Sequence, residues 1–213
     1  MATYDRTIML ALRVSGRDDD ITEAAHDILE KINKKVANPQ NNHLYYYGLH
    51  PDGTARTAKA STPAKPLAVL TDLSRLCLVG HGDWQTQTIA GWRANQIAPW
   101  LLNDLGLCHV NTISLISCSV ARDANTLDSV RLSSSIDSFA SRFTAALPFE
   151  GVPVFARYFP VWVRPNGTKY QSALEEAPMP KSSKAKFYKS GGQVYRRIGT
   201  TKDGPVRYDE ADI

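Results

Sequence analysis

A histidine and a cysteine follow two apolar runs of the sequence in the same way. Val79-Gly80-His81-Gly82 ends the first run, and Ile116-Ser117-Cys118-Ser119 ends the second. Such runs predict buried strands of a parallel sheet, and ligand and active sites lie beyond the carboxyl ends of these strands. His81 and Cys118 are 37 positions apart, about the length of a strand–helix–strand crossover. We therefore expect both side chains to face one crevice.

These two residue types together can perform nucleophilic chemistry. A cysteine thiol needs a neighbouring base to become a thiolate near neutral pH, and His81 would be that base for Cys118. The backbone N–H groups of Gly82 and Cys118 would stabilise an oxyanion. The alternative is structural, because a lone cysteine after a strand is usually a small core residue. The matching positions of both residues favour the chemical interpretation.

The remaining pattern predicts an α/β fold with a largely parallel sheet. Strands are predicted over 6–14, 43–49, 73–79, 112–117 and 152–158, and helices over about 21–35, 93–105 and 133–147. Pro165-Asn166-Gly167 predicts a hairpin between 161–163 and 169–172. Short basic strands follow, up to residue 198. We predict one domain over 1–213, with a core over about 6–198 and a flexible tail over 199–213.

Composition excludes several other classes of protein. Three cysteines without CxxC spacing predict neither a disulfide framework nor a zinc site, and they indicate a reducing compartment. No apolar run is long enough to span a bilayer, and the N-terminus does not resemble a signal peptide. The net charge is +4. Most of the excess lies between 181 and 207, where eight basic residues accompany a single acidic residue, Asp203: Lys181, Lys184, Lys186, Lys189, Arg196, Arg197, Lys202 and Arg207. This segment is expected to attract anions.

The two strand-end motifs resemble those of a known family. Leu78–Gly82 and Ile113–Ser119 are similar to the histidine and cysteine motifs of clan CD cysteine peptidases, and most similar to those of the autoprocessing cysteine protease domain (peptidase family C80) of large bacterial toxins. Thr88–Trp92 and Pro165–Lys169 resemble further segments of that domain, so the resemblance covers about 7–198. It implies a caspase-haemoglobinase-like three-layer sandwich with a C-terminal β-hairpin subregion.

The resemblance also implies an activity and its residues. Cys118 would be the nucleophile, His81 its base, and Asp83 the candidate acid that orients the histidine, with no metal or cofactor. The enzyme would be a thiol endopeptidase that cleaves peptide substrates, itself among them. It would be a toxin-type bacterial protein, secreted or delivered into a host cytosol.

The toxin domains are activated by inositol hexakisphosphate in a basic pocket, and this chain carries candidates for the same contact. They are Lys169, Lys184, Lys186, Lys189, Arg196 and Arg197. Thr168 and Asp83 depart from the family, which tends to have basic residues at both positions.

Other interpretations stay open at this point. The chain could be a non-catalytic module that binds polyanions or inositol phosphate, or a pseudo-peptidase that kept the fold. Nucleic acid is not an expected partner. An α/β-hydrolase is excluded, because Gly82 stands where the nucleophile elbow requires serine.

Overall fold

The computed structural model describes residues 4–14, 19–57, 61–122, 137–158, 160–170, 184–198 and 207–210. The helices are α1 (Asp19–Asn33), α2 (Ala94–Pro99) and α3 (Phe139–Ala146). The strands are β1 (Thr7–Val14), β2 (His43–Leu49), β3 (Ala55–Thr57), β4 (Arg75–Gly80), β5 (Gly82–Asp83), β6 (Thr88–Ile89), β7 (Trp92–Arg93), β8 (Thr112–Ile116), β9 (Val154–Arg157), β10 (Trp162–Val163), β11 (Lys169–Tyr170), β12 (Lys184–Ser190), β13 (Gln193–Ile198) and β14 (Arg207–Glu210). A 3₁₀ turn spans Pro39–Asn41, and a π turn spans Trp100–Asp104.

The main sheet has nine strands in the order β14-β13-β12-β9-β8-β4-β1-β2-β3. Its centre, from β9 to β2, is parallel throughout, whereas β3, β12, β13 and β14 are antiparallel to their neighbours. The predicted α/β class with a mostly parallel sheet is therefore confirmed, including the antiparallel hairpin near the C-terminus. The predicted tail, 199–213, contains the described edge strand β14.

Helices cover both faces of the sheet and produce three layers. On one face, α1 packs the apolar side chains of Ile21, Ala25 and Ile28 against alternate residues of β1 and β4. On the other face, α2 and α3 pack on the remaining alternate residues and enclose a larger apolar core. The sheet is thus shielded from water on both sides, as its nearly continuous apolar strands require.

The hairpin β10–β11 lies on the same face as α1. Trp162 pairs with Tyr170, which agrees with the predicted hairpin. Its turn approaches α1 closely: Gly167 has φ +68°, and a Cβ there would collide with the carbonyl oxygen of Asp27. The Nζ of Lys31 donates to the hydroxyl of Thr168 at 2.6 Å. The hairpin is therefore fixed to the helix.

Two predicted helices differ in detail from the structure. The segment predicted as a helix over 93–105 is α-helical over Ala94–Pro99 and continues without a break as the π turn Trp100–Asp104. The next turn widens, so that the N–H of Leu105 donates to the carbonyl of Trp100 at 3.1 Å. The helix predicted over 133–147 begins after Ser138, whose backbone is extended and whose Oγ accepts the N–H of Ser141. Positions 133–136 lie outside the described residues.

Candidate functional site

The loops that carry His81 and Cys118 touch at the tips of neighbouring strands. β4 and β8 are parallel, and Val79 pairs with Ile116. A Cβ on Gly82 would collide with the carbonyl oxygen of Cys118 and lie 3.0 Å from its backbone nitrogen. Only glycine permits this approach, which explains the glycine after His81.

Both loops hold backbone conformations that are unusual for their residue types. Gln87, Ala90 and Ser119 have φ of 55°, 49° and 54°, and they are the described non-glycine residues with positive φ. Such conformations are costly and cluster at functional sites. The N–H of Ala90 also donates to the carbonyl of His81 at 2.7 Å. Contacts with neighbouring residues therefore fix the backbone conformation of the histidine loop.

A side-chain clamp joins the two loops. The amide nitrogen of Gln87 donates to the carbonyl of Trp84 at 2.5 Å and to that of Arg122 at 3.1 Å. The guanidinium of Arg122 lies 3.8 Å from the centre of the Trp84 ring, an arrangement that favours a cation. The histidine loop and the cysteine loop are thus held as one unit.

The sulfur of Cys118 contacts the backbone of Val161. The Val161 N–H donates to Sγ at 3.4 Å, and Sγ lies 3.9 Å from the Val161 carbonyl oxygen. Cys118 is partly exposed, whereas Cys77 is buried and Cys108 is exposed, and all three are free.

His81 approaches an acid that the sequence analysis did not select. Its Nε2 lies 3.3 Å from Oδ2 of Asp20, with the His81 side chain 51% exposed and the Asp20 side chain 68% exposed. Asp20 belongs to the first turn of α1. The sequence contained a signal for this contact, because α1 starts just after the carboxyl end of β1. That end lies at the same sheet edge as His81.

The carboxylate of Asp83, the acid predicted to orient His81, instead closes its own turn. It accepts the N–H of Gln85 at 2.8 Å and that of Thr86 at 3.3 Å. Partial burial raises the pKa of Asp83, but these hydrogen bonds and one from the Thr86 side chain outweigh it, so the pKa is lowered. Asp83 is therefore a fixed anion beside the histidine.

A cationic cavity lies on the α1 face of the sheet, under the hairpin β10–β11. Its volume is about 50 Å³, and it is lined by four cations, Arg75, Arg157, Lys169 and Lys184. Among its described lining residues, none is acidic. Val161 also lines it, so one residue contacts both the cavity and the sulfur of Cys118.

Burial changes the charge state of the two lysines. It lowers the pKa of Lys169 to about 7, and Arg75, Arg157 and Lys184 lower it further, while Cys77 opposes the change. Burial likewise lowers the pKa of Lys184 to about 8, with Arg75 and Arg157 adding to the effect. Desolvation makes the charged forms of these lysines unfavourable, and a bound anion would offset this cost in free energy.

The structure divides the predicted inositol-phosphate residues between the two faces of the sheet. Lys169 and Lys184 line the cavity, and Lys186 shares the face of Lys184 on β12. Lys189 instead donates to the carbonyl of Leu147 at the end of α3. Arg196 is 3% exposed and pairs with Phe187 of the opposite core. The side chain of Arg197 lies outside the described residues.

No known protein family matches this sequence, and no curated protein does. Among solved structures, the fold is similar to a secreted C11 cysteine protease from Bacteroides thetaiotaomicron, solved in complex with an irreversible peptide inhibitor, at 10% sequence identity and a TM-score of 0.41. The similarity covers 76% of this chain and 52% of that protein, so this chain spans about half of its length. A likeness this weak assigns neither a family nor an activity.

Two further classes of feature were sought in the described part of the chain. None of its helices has both the length and the apolar character needed to cross a bilayer. Within the same residues, no group of three or more His, Cys, Asp or Glu side chains is placed to hold a metal ion.

Proposed function

We propose that this chain is a thiol-dependent endopeptidase of the caspase-like kind, with Cys118 as nucleophile and His81 as base. The observation that carries the proposal is the contact of Gly82 with the backbone of Cys118 at the tips of β4 and β8. This contact brings together the histidine loop and the cysteine loop, which lie at the two ends of a long crossover connection. Cys118 is also partly exposed, as a nucleophile requires.

The proposed reaction follows from the chemistry of these groups. His81 accepts the thiol proton, and the sulfur of Cys118 attacks the scissile carbonyl carbon. The N–H groups of Gly82 and Cys118 stabilise the oxyanion. His81 then gives its proton to the leaving amine, and water hydrolyses the thioester. Asp20 holds the imidazole in place and stabilises its cationic form.

Labelling with a thiol-directed probe tests this function, with Cys108 as an internal control. We expect iodoacetamide at neutral pH to label Cys118 at least about 10-fold faster in wild type than in His81→Ala, because a neighbouring base generates the thiolate. The rate at the exposed Cys108 should be equal in both proteins. Cleavage of a peptide library should disappear in Cys118→Ala. Labelling of Cys118 that is independent of His81, together with no cleavage, would refute the proposal.

Activation by inositol hexakisphosphate extends the proposal. The cationic cavity supports it, because Lys and Arg side chains form strong charge-assisted hydrogen bonds with phosphate. A cavity of about 50 Å³ suits one phosphate group, with the rest of the ligand outside. Val161 would transmit occupancy to Cys118, since it lines the cavity and contacts the sulfur.

A second candidate function is a non-catalytic module that binds polyanions. The same cavity favours it, because anion binding by its four cations does not require a reactive cysteine. These cations are Arg75, Arg157, Lys169 and Lys184. Anion binding without preferential labelling of Cys118 would select this alternative. Toxin-type action, with self-cleavage and delivery into a host cytosol, belongs to the peptidase proposal and rests on the sequence resemblance alone.

A further inference from the structure

A second depression lies beside His81. This histidine-side groove has a volume of about 480 Å³ and is bounded by Val14 at the end of β1, by His81, and by the small sheet β5–β6–β7. Cys118 does not line it. Its volume falls within the range of ligand sites, and the sequence analysis gave it no role.

A row of three side chains gives the groove two charges of opposite sign. Asp83 pairs with Thr88, and Thr88 pairs with Arg93. Residues paired directly across antiparallel strands share a face, so Asp83 and Arg93 stand two strand spacings apart, about 10 Å. All three residues line the groove, and both charged residues are exposed.

The two charges do not neutralise each other. Among the described residues, no ion pair joins Asp83 to Arg93. The hydrogen bonds of the turn hold the Asp83 carboxylate in place and keep it anionic. The groove therefore presents a fixed negative charge near His81 and a positive charge farther away.

The proposed chemistry indicates which part of a substrate reaches this groove. The histidine gives its proton to the amine that leaves, so the chain after the scissile bond passes the imidazole. A groove on the histidine side that excludes the nucleophile is placed to hold that segment. An extended peptide advances 3.2–3.4 Å per residue, so about 10 Å corresponds to roughly three residues.

Resting on the proposed peptidase function, we propose that the histidine-side groove binds the substrate segment that follows the cut. Asp83 selects a basic residue at the first or second position after the scissile bond. Arg93 selects an acidic residue about three positions farther on. The substrate class is thus a peptide with a basic-to-acidic order on its leaving side.

Paired peptides test the order of charges, and their ratio is independent of the overall activity of a variant. The two peptides share every residue before the cut and differ only after it, one with Lys then Glu three positions later, the other with these two exchanged. We expect wild type to prefer the first by about 3- to 5-fold in kcat/KM, the range of an exposed ion pair, and less at high salt. The double variant Asp83→Lys with Arg93→Glu should prefer the second.

A matched charge exchange elsewhere is the control. Arg6→Glu with Asp72→Lys alters the segments before β1 and β4, at the opposite sheet edge, and should keep the wild-type preference. Thermal melting establishes that each variant is folded. A wild-type ratio near one, or a ratio unchanged by the Asp83 and Arg93 exchange, overturns the inference.

A binding measurement separates this inference from the peptidase proposal. Fluorescent peptides that represent only the leaving segment are titrated against Cys118→Ala, and their affinities should follow the same charge order. Charge-ordered binding without any cleavage by wild type would remove the peptidase function and leave a peptide-binding groove. Cleavage without charge-ordered binding would keep the function and refute the groove.

Discussion

The cationic cavity and the histidine-side groove both adjoin the candidate catalytic residues, one through Val161 and the other through His81. The cavity holds four partly buried cations under a hairpin, without an acid among its described lining residues, whereas the groove carries charges of both signs. The groove exposes one acid and one base about two strand spacings apart. Both depend on residues next to β4, one at the start of the strand and the other beyond its end.

The contrast shows how burial determines what a charge can do. Exposed Asp83 and Arg93 are hydrated, so they add selectivity for a partner at little cost to folding. Lys169 and Lys184 have lost much of their hydration, and their lowered pKa values record the penalty. We therefore expect an anion in the cavity to stabilise the fold strongly and a peptide in the groove to stabilise it little.

The largest effect is expected when the cavity loses its lysines. Wild type with inositol hexakisphosphate at about 100 times its dissociation constant should gain roughly 2.7 kcal/mol, or about 5–10 °C in melting temperature. Lys169→Met with Lys184→Met should lose most of this shift, because only Arg75 and Arg157 remain in the cavity to pair with phosphate. Differential scanning fluorimetry measures both proteins with and without the ligand.

Lys189→Met is the matched control for that measurement. Lys189 is basic and lies on the same strand as Lys184, but its Nζ contacts the end of α3 instead of the cavity. The variant should keep the full ligand-induced shift, even if its ligand-free melting temperature falls slightly. A shift that survives in the double lysine variant and disappears in Lys189→Met would place the anion on the other face.

The next effect distinguishes the acid that holds His81 from the acid that lines the groove. Asp20→Asn should lower kcat by roughly 3- to 5-fold with little change in KM, because a largely exposed carboxylate near the imidazole supports its cationic form in the transition state. Asp20→Glu should recover part of the loss. Steady-state kinetics on one peptide provide both constants.

Asp19→Asn controls for the negative charge at the start of α1. Asp19 lies in the same helical turn and is 95% exposed, with Arg13 as its distant partner at 3.9 Å. The kcat of the Asp19→Asn variant should stay within about twofold of the wild-type value. An equal loss in both variants would mean that the helix terminus, and not a contact with His81, is responsible.

Local patterns in the sequence predicted the strands that position the site. The apolar runs before His81 and Cys118 become β4 and β8, and the hairpin around Pro165-Asn166-Gly167 forms where the turn residues indicated. These features depend on burial and turn geometry, which a single segment encodes. The change from α to π geometry after Pro99 carried its own signal, because proline lacks the N–H that an α-helix uses at each position.

Contacts between distant segments could not be predicted in this way. The cationic cavity needs Arg75, Arg157, Lys169 and Lys184, which come from four strands of two sheets. The basic C-terminal segment is distinguished by its charge density, yet among its described residues only Lys184 lines the cavity. Alternation along β12 assigns Lys184 and Lys189 to opposite faces, and charge counting ignores this alternation.

The last effect is the pH dependence of stability without ligand. Lys169 and Lys184, with pKa values of about 7 and about 8 in the folded chain, stay protonated in the unfolded chain up to about pH 10. The unfolded state therefore binds more protons above pH 7, and stability should rise with pH, by at most about 1.4 kcal/mol per unit for each lysine. Urea unfolding at pH 7.0 and 8.5 measures the rise, which should shrink in Lys169→Met and persist in Lys189→Met. Equal stability of the wild type at both pH values would mean that water already solvates the cavity lysines, and the contrast between buried and exposed charge would then fail.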